Sequence, residues 1–333
     1  MKKNLKIFLL MLALILSFSF VSCGNVNENS KTQDTQKEVK EDKATEKTES
    51  TGSFKIIDKA NRELSFEKTP GTIIALNPSD AEILDSIGQT DKLIAIGKYV
   101  DYPESILNLP KLDTGKNLNI EEIINLNPDV VFMTDMATNE ESVKKLEDAG
   151  INIVMTSAKS IDDTYDSIKL ISEVLKTEEA GEKVIENMKS EFENLSKNKS
   201  DNEGKTIYFE ISPIEYGLWT AGSDTFMDDI ANILGASNIF HDVKEFSEIS
   251  EEEVISRNPD YIVVTSMGDS EDIINEILNR KGWEDITAIK NKNIFHSYDS
   301  TMTRPSPRLV DGAKDMQDLL NKWKMKSLNL ITI

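Results

Sequence analysis

The sequence predicts an α/β fold of two mainly parallel, Rossmann-like β-sheet lobes with a ligand cleft between them. Three observations predict it. Short apolar runs alternate with amphipathic helical patterns, and the alternation resumes after Gly204. A long helical pattern separates the two halves. The stretch EEIINLNPDVV at 121–131 returns at 252–262 as EEVISRNPDYI, which indicates that each half contains the same helix-turn-strand unit.

The opening segment FKIIDKANRELSF alternates apolar and polar residues around a polar turn, which predicts an antiparallel hairpin. Apolar runs predict strands at 72–76, 93–96, 130–134, 152–156, 206–211, 261–265 and 293–296. Amphipathic patterns predict helices at 79–87, 120–126, 140–149, 224–234, 251–257, 271–279 and 308–323.

The helical pattern between the halves begins at Ile161 and runs to about Lys197. Its apolar residues are compatible with one buried stripe: Ile168, Ile171, Leu175, Val184, Met188, Phe192 and Leu195. We therefore predict one long connecting helix of about 50 Å over 161–198, between an N-terminal lobe at 54–160 and a C-terminal lobe at 204–333. The alternative is two helices broken at Gly181.

The N-terminus indicates export. Three lysines precede an apolar run at 7–20 that is short for a membrane span, as in a secretory signal. The run ends in VSCG, which resembles a bacterial lipobox and implies a signal peptide at 1–22 and a lipid on Cys23, the only cysteine. The alternative is an uncleaved anchor helix. Residues 23–53 are almost all polar, and we expect a disordered tether.

Composition excludes several classes of function. A formal net charge of −21 opposes binding to nucleic acid. Two histidines are too few for a histidine-rich metal site, so we expect no metal site of the protein's own and no intrinsic cofactor. No nucleophile, phosphate-loop or histidine-carboxylate motif indicates an enzyme. An adhesion or signalling lipoprotein remains a second alternative.

The repeated unit is partly explained by local structure. Its carboxylates fall in the first turn of a helix, where the helix dipole favours them. Its proline ends the helix, and its aspartate leads into a buried strand. This interpretation leaves the choice of glutamate open, because any polar residue would serve there.

Several motifs together resemble the class III substrate-binding proteins of ABC importers, which carry ferric siderophores, haem and cobalamin. The residues on which the resemblance rests are Asn77-Pro78-Ser79 with Glu82, Asp101-Tyr102-Pro103, Asn119-Ile120-Glu121, both Asn-Pro-Asp units, Ala221-Gly222-Ser223, Asn238-Ile239-Phe240 and Arg304-Pro305-Ser306-Pro307-Arg308. The resemblance implies a monomer that docks on a permease dimer through Glu121 and Glu252. Their neighbours Glu122 and Glu253 could share that role, and solvated helix-cap acids are the plainer alternative.

Ligands of open α/β sheets bind beyond the carboxyl ends of the strands. The loops there contain the candidate ligand residues Asn77, Tyr99, Tyr102, Asn117, Met136, Ser212, Trp219, Met267, Tyr298, Met302 and Arg304. Aromatic and thioether side chains suit a large, partly apolar metal chelate. The resemblance favours a cobalamin-type corrinoid, with haem or a ferric siderophore as alternatives, and implies that Arg304 holds a ligand carboxylate or phosphate. His241 could ligate haem iron, whereas we expect His296 to be satisfied by hydrogen bonds.

Overall fold

The computed structural model describes residues 52–135, 139–297 and 301–330, and of Lys116 and residues 322–330 it describes the backbone alone. The predicted signal peptide, Cys23 and all but the last residues of the predicted tether lie outside this range, as do Met136 and Tyr298. Of the helices within the described ranges, none has both the length and the apolar character that crossing a membrane requires.

The predicted hairpin is confirmed. Strands β1 (Phe54–Ile57) and β2 (Glu63–Phe66) pair antiparallel. Between them the buried Asp58 accepts hydrogen bonds from the backbone N–H groups of Ala60 and Arg62, both at 3.0 Å. The carboxylate thus organises the turn that the sequence marks only as polar.

The first sheet has five parallel strands in the order β5-β4-β3-β6-β7. Its strands are β3 (Ile73–Ala75), β4 (Leu93–Gly97), β5 (Lys111–Leu112), β6 (Val130–Met133) and β7 (Asn152–Met155). Its helices are α1 (Pro78–Ser86), α2 (Ile120–Leu126) and α3 (Glu140–Asp148). Because the chain leaves β3 toward β4 and later returns to its other side at β6, the topological switch point lies at the carboxyl end of β3.

The second sheet has six strands and is mixed. Its strands are β8 (Thr206–Glu210), β9 (Trp219–Ala221), β10 (Ser237–Asn238), β11 (Phe246–Glu248), β12 (Tyr261–Val264) and β13 (Ile294–His296). Its helices are α6 (Phe226–Leu234), α7 (Glu251–Arg257), α8 (Ser270–Leu278), α9 (Thr287–Asn291) and α10 (Leu309–Leu330). The strands β8, β10, β12 and β13 are parallel, whereas β9 and β11 form an antiparallel extension. Strands β5, β9, β10 and β11 have two or three residues each, too few to show a period in the sequence.

The connecting segment corrects the prediction of a single long helix. It forms α4 (Ile161–Leu175) and α5 (Glu178–Ser196), separated by Lys176 in the left-handed conformation at φ 56°. The break is also not at Gly181, which lies in the first turns of α5. A Cβ added at Gly181 would lie 2.1 Å from Ser172 Oγ, so the glycine allows α5 to cross close to α4.

One apolar core serves both sheets. It contains Ile73 from β3, Ile168 from α4, Phe192 from α5 and Phe209 from β8 in a single cluster. Separate clusters cover the opposite face of each sheet, one against α2 and α3 and the other against α7, α8 and α9. The two lobes are therefore joined by a shared apolar core as well as by the connecting helices.

The repeated Asn-Pro-Asp has a structural role in both halves. Asn127 and Asn258 end their helices in the left-handed conformation, at φ 48° and 45°. The aspartate that follows accepts hydrogen bonds from a threonine at the start of the neighbouring strand. Asp129 Oδ2 lies 3.0 Å from Thr72 N and 3.1 Å from its Oγ1. For Asp260, the distances to N and Oγ1 of Thr206 are both 2.9 Å. The motif thus sets the start of β6 beside β3, and of β12 beside β8.

Candidate ligand cleft and docking acids

The carboxyl ends of the first sheet's strands face the second half of the chain. Asp101, in the loop after β4, lies with its Oδ2 2.8 Å from Nη2 of Arg304, in the segment between β13 and α10. Lys159, in the loop after β7, pairs through Nζ with Glu245 Oε2 at 2.8 Å. Its carbonyl also accepts a 2.7 Å hydrogen bond from the backbone N–H of Phe226. The Asp101–Arg304 pair therefore joins the two halves at the carboxyl edge of the first sheet, where a ligand of this fold class binds. Lys159 and Glu245 join them at a separate, acid-lined pocket beside His241.

Apolar side chains that would normally be buried are exposed near the carboxyl ends of strands in both sheets, after β4, β8 and β12 and at the start of β9. Of the predicted ligand residues, Tyr99 is 54% exposed, Tyr102 39%, Trp219 37% and Met267 66%. Tyr216 is 76% exposed as well, in a short helical turn after β8. It was not predicted, because a turn of three residues is too short to show a period in the sequence. Exposed large apolar groups on several facing loops indicate a binding surface.

Arg304, which the resemblance implies holds a ligand anion, is paired with two acids of the protein itself. Its guanidinium contacts Asp101 and also Glu82 of α1, where Nη1 lies 3.1 Å from Oε1. The prediction that Met302 contacts the ligand is wrong. Only 1% of Met302 is exposed, and it packs beside Gly312 of α10. Glu82 and Asp101 lie 222 and 203 positions before Arg304, so the periodicity of the sequence gives no signal for these two ion pairs.

The predicted polar ligand residues differ in their surroundings. Asn77 lies at the switch point, donates from Nδ2 to Asp80 Oδ2 at 2.9 Å and accepts from Thr134 Oγ1 at 3.3 Å. Asn117 is exposed in a helical turn after β5. Ser212 Oγ donates to the carbonyl of Gly217 at 2.6 Å and so closes the loop that carries Tyr216.

The buried Asp80 gives a pH-dependent prediction. Burial raises the pKa of its carboxyl to about 6, opposed by hydrogen bonds from Asn77 and Thr156, against an ordinary value of 3.8. Because the folded state holds this proton more tightly than the unfolded state, the free energy of unfolding falls as pH rises from about 4 to 6, by up to about 3 kcal/mol. Asp80→Asn should raise the melting temperature at pH 8 and flatten its pH dependence. Thermal unfolding from pH 4 to 8 tests this, with Asp91→Asn, at an exposed site, as the control. A variant less stable than the parent at pH 8 would contradict it.

Both histidines have hydrogen-bond partners within the protein. His296 is bonded through both ring nitrogens, to Ser270 Oγ and to the carbonyl of Ser266, each at 2.7 Å, which confirms its prediction. His241 Nδ1 lies 2.9 Å from the buried Asp228. It borders a polar pocket of about 480 Å³ lined mainly by acids and without aromatic groups. Among the described residues, no group of three or more His, Cys, Asp or Glu is arranged to hold a metal ion.

The repeated glutamates Glu121 and Glu252 lie at equivalent, exposed positions in the first turns of α2 and α7. Each helix runs back toward the amino end of the next strand, so its first turn lies at the edge of the sheet that carries the strand carboxyl ends. Both acids therefore lie on the rim of the two halves.

The neighbouring acids have local partners. Glu253 forms a capping box in which its Oε2 accepts from Ser250 N at 2.9 Å. Glu122 accepts from the Asn119 amide at 3.4 Å, and Glu251 accepts from Trp283 Nε1 at 3.0 Å. Glu121 and Glu252 make no side-chain hydrogen bond within the parts of the chain that the structure covers. They are thus the pair available to a partner.

Comparison with known proteins identifies the family to which the chain belongs. The model of the family described as periplasmic binding protein matches residues 73–300. A Bacillus subtilis protein named uncharacterized ABC transporter substrate-binding lipoprotein YvrC is 29% identical over 311 residues, covering 92% of this chain and 94% of its own. The vitamin B12-binding protein of Vibrio cholerae is 25% identical over 245 residues, covering 73% of this chain and 87% of its own.

A solved structure from Staphylococcus epidermidis, described as a possible iron-binding (periplasmic solute-binding) protein, is 31% identical. It superimposes with a TM-score of 0.68 and covers 76% of this chain and 99% of its own. The match to the family model extends over more than half of the chain, and it includes the loops that carry Tyr99, Tyr102, Trp219 and Met267. The chain therefore belongs to the periplasmic binding protein family.

Proposed function

We propose that this protein is the extracytoplasmic substrate-binding component of an ABC importer, which captures a metal chelate and delivers it to a permease dimer. The observation that carries the proposal is the set of exposed aromatic and thioether groups on facing loops of the two halves. We propose 54–160 and 204–333 as the two lobes that hold the ligand. The chelate is cargo, so the protein needs no cofactor of its own, and its role is binding rather than catalysis.

A cobalamin-type corrinoid is the favoured ligand. Flat aromatic groups such as Tyr99, Tyr102 and Trp219 offer large apolar contact area together with a polar edge, which suits a macrocycle with amide side chains. The likeness to a vitamin B12-binding protein supports the same choice. A ferric siderophore is the second candidate, supported by the likeness to a possible iron-binding protein. Haem is less favoured, because His241 borders an acid-lined pocket whose lining includes none of Tyr99, Tyr102 and Trp219.

We propose that a lipid on Cys23 anchors the protein on the outer face of the cell membrane. The lipobox-like VSCG and the single cysteine support this, and so does the likeness to a protein named a lipoprotein. A lipid anchor followed by a polar tether leaves a monomeric binding body free to meet ligand and permease.

Fluorescence titration tests the proposal. Of the three tryptophans, Trp219 is 37% exposed, Trp283 is fully buried and Trp323 lies in α10, so quenching by direct contact with a bound corrinoid should come from Trp219. An aromatic contact contributes about 0.5–1.5 kcal/mol beyond the area that it buries. Trp219→Ala should therefore weaken corrinoid binding about tenfold and remove most of the quenching.

Ile57→Ala is the matched control, since Ile57 is an exposed apolar residue in the hairpin. It should leave affinity and quenching unchanged. If cyanocobalamin, haem and a panel of ferric siderophores all fail to bind with Kd values near about 1 μM, the import role is contradicted.

A further inference from the structure

The cations at the candidate cleft are neutralised by the protein itself. Arg304 is bonded to Asp101 and Glu82. Lys98, in the same loop as Asp101, pairs with Asp113 at 2.8 Å. In the loop after β4 and in the segment before α10, each described basic side chain therefore has an acidic partner, and Lys111 of β5 reaches the Val100 carbonyl at 3.4 Å.

Asp101 is the accessible member of the arginine cluster. Its side chain is 60% exposed, against 17% for Arg304 and 1% for Glu82. The hydrogen bond from Arg304 lowers the pKa of the Asp101 carboxyl, so this group stays ionised near neutral pH. Glu82 is held from a further side by Ser306 Oγ and by Arg308. A ligand anion that approached Arg304 would have to displace Asp101, because Glu82 is buried behind it.

Two rings of the aromatic surface already bind cations of the protein, and two further rings are exposed. The Arg308 guanidinium stacks on Tyr102 at 4.3 Å, and Lys98 lies 5.1 Å from the ring centre of Tyr99. The rings of Tyr216 and Trp219 are exposed and attract cations through their faces. The loops also contain further acids: Asp135, Glu215 and Asp269.

We propose that Asp101 determines the charge preference of the cleft: by occupying Arg304, it makes the protein select chelates of neutral or positive charge and reject polyanionic ones. This inference rests on the proposed chelate-binding function. A bidentate arginine-carboxylate pair is among the stronger polar contacts in proteins, so a competing carboxylate gains little by replacing one that is already in place.

The test compares pairs of ligands whose members differ in charge while sharing the same metal chelate. The probes are cyanocobalamin and its carboxylate derivatives with hydrolysed side-chain amides, haem dimethyl ester and haem, and ferrioxamine B and its succinylated form. Calorimetric titration of the full-length protein, in detergent, gives the affinity ratio within each pair. For whichever pair binds, the parent should favour the less anionic member at least about tenfold, and the ratio should shrink as salt is added.

Asp101→Asn keeps the size of the side chain and frees Arg304 of its exposed partner, so it should reduce the ratio about tenfold by strengthening binding of the anionic member. The matched control is Asp242→Asn, which loosens the Asp242–Arg257 pair at the other edge of the second sheet and should leave the ratio unchanged. An equal or anion-favouring ratio in the parent overturns the inference and leaves the proposed function standing. A ratio unaffected by Asp101→Asn also overturns it, and failure of every probe to bind overturns both proposals.

Discussion

Reversing Glu121 and Glu252 to arginine together is expected to abolish ligand uptake by cells while the protein still binds its ligand. The two acids lie at equivalent, exposed positions on the rims of the two halves and lack side-chain partners in the described part of the chain. If each meets a cation of the permease, reversal sets like charges against each other at two points, which costs several kcal/mol of complex stability. Each single reversal should lose part of the uptake, because the other anchor remains.

Uptake of radiolabelled ligand by cells, beside titration of the purified variant, separates the two effects. The melting temperature should change little, because both acids are exposed. Glu182→Arg with Glu186→Arg is the matched control, since these exposed acids of α5 give the same change of charge away from the rims. Lost ligand binding in the Glu121 and Glu252 variant would show that these acids line the cleft. Normal uptake would leave the repeat as a fold element only.

Arg280→Ala is expected to lower the free energy of unfolding by about 3–5 kcal/mol, because it leaves the carboxylate of Glu210 buried without its cation. Arg280 Nη1 lies 2.8 Å from Glu210 Oε2, and both side chains are almost fully buried, with 4% and 2% exposed. Arg280 also bonds Glu276 and stacks on Trp283 at 4.3 Å. Burial raises the pKa of Glu210 even against this hydrogen-bonded partner, so the unpaired acid would be costly to ionise.

Urea unfolding followed by circular dichroism measures this change as a lower midpoint at similar slope. Lys144→Ala is the control, because it removes an exposed pair with Asp148 and should change stability by less than about 0.5 kcal/mol. Loss of stability in Arg280→Ala that is no greater than in Lys144→Ala would contradict the assigned role of the buried pair.

Helices and strands that are specified by nearby residues, such as caps, prolines and apolar runs, were predicted closely. The bounds of α2 and α7 agree with the prediction to the residue. The residues that begin and end these helices lie directly beside them in the sequence. Asn119 and Ser250 cap the amino ends, and an asparagine-proline pair follows each carboxyl end. The four predicted strands of the first sheet, β3, β4, β6 and β7, agree within one residue at each end, because their apolar runs are buried on both faces, whereas β5 was not predicted.

Contacts between distant parts of the chain could not be predicted. Arg304 reaches Asp101 across 203 positions and Arg280 reaches Glu210 across 70, and neither pairing leaves a period or a motif. The break at Lys176 was missed for a related reason. A single left-handed residue interrupts the hydrogen bonds of a helix without interrupting its apolar stripe, since α4 and α5 both pack on the shared core.

The most direct measurement is the absorption spectrum of the protein purified without denaturation from the cells that make it. A chelate carrier should retain part of its cargo, so we expect the visible bands of a corrinoid, or failing that of a ferric siderophore, in an amount that approaches one per protein after incubation with that ligand. The bands should persist through gel filtration at a ligand concentration below about 1 μM. A colourless protein that gains no visible band from corrinoid, haem or ferric siderophore under the same conditions would contradict the proposal that it carries a metal chelate.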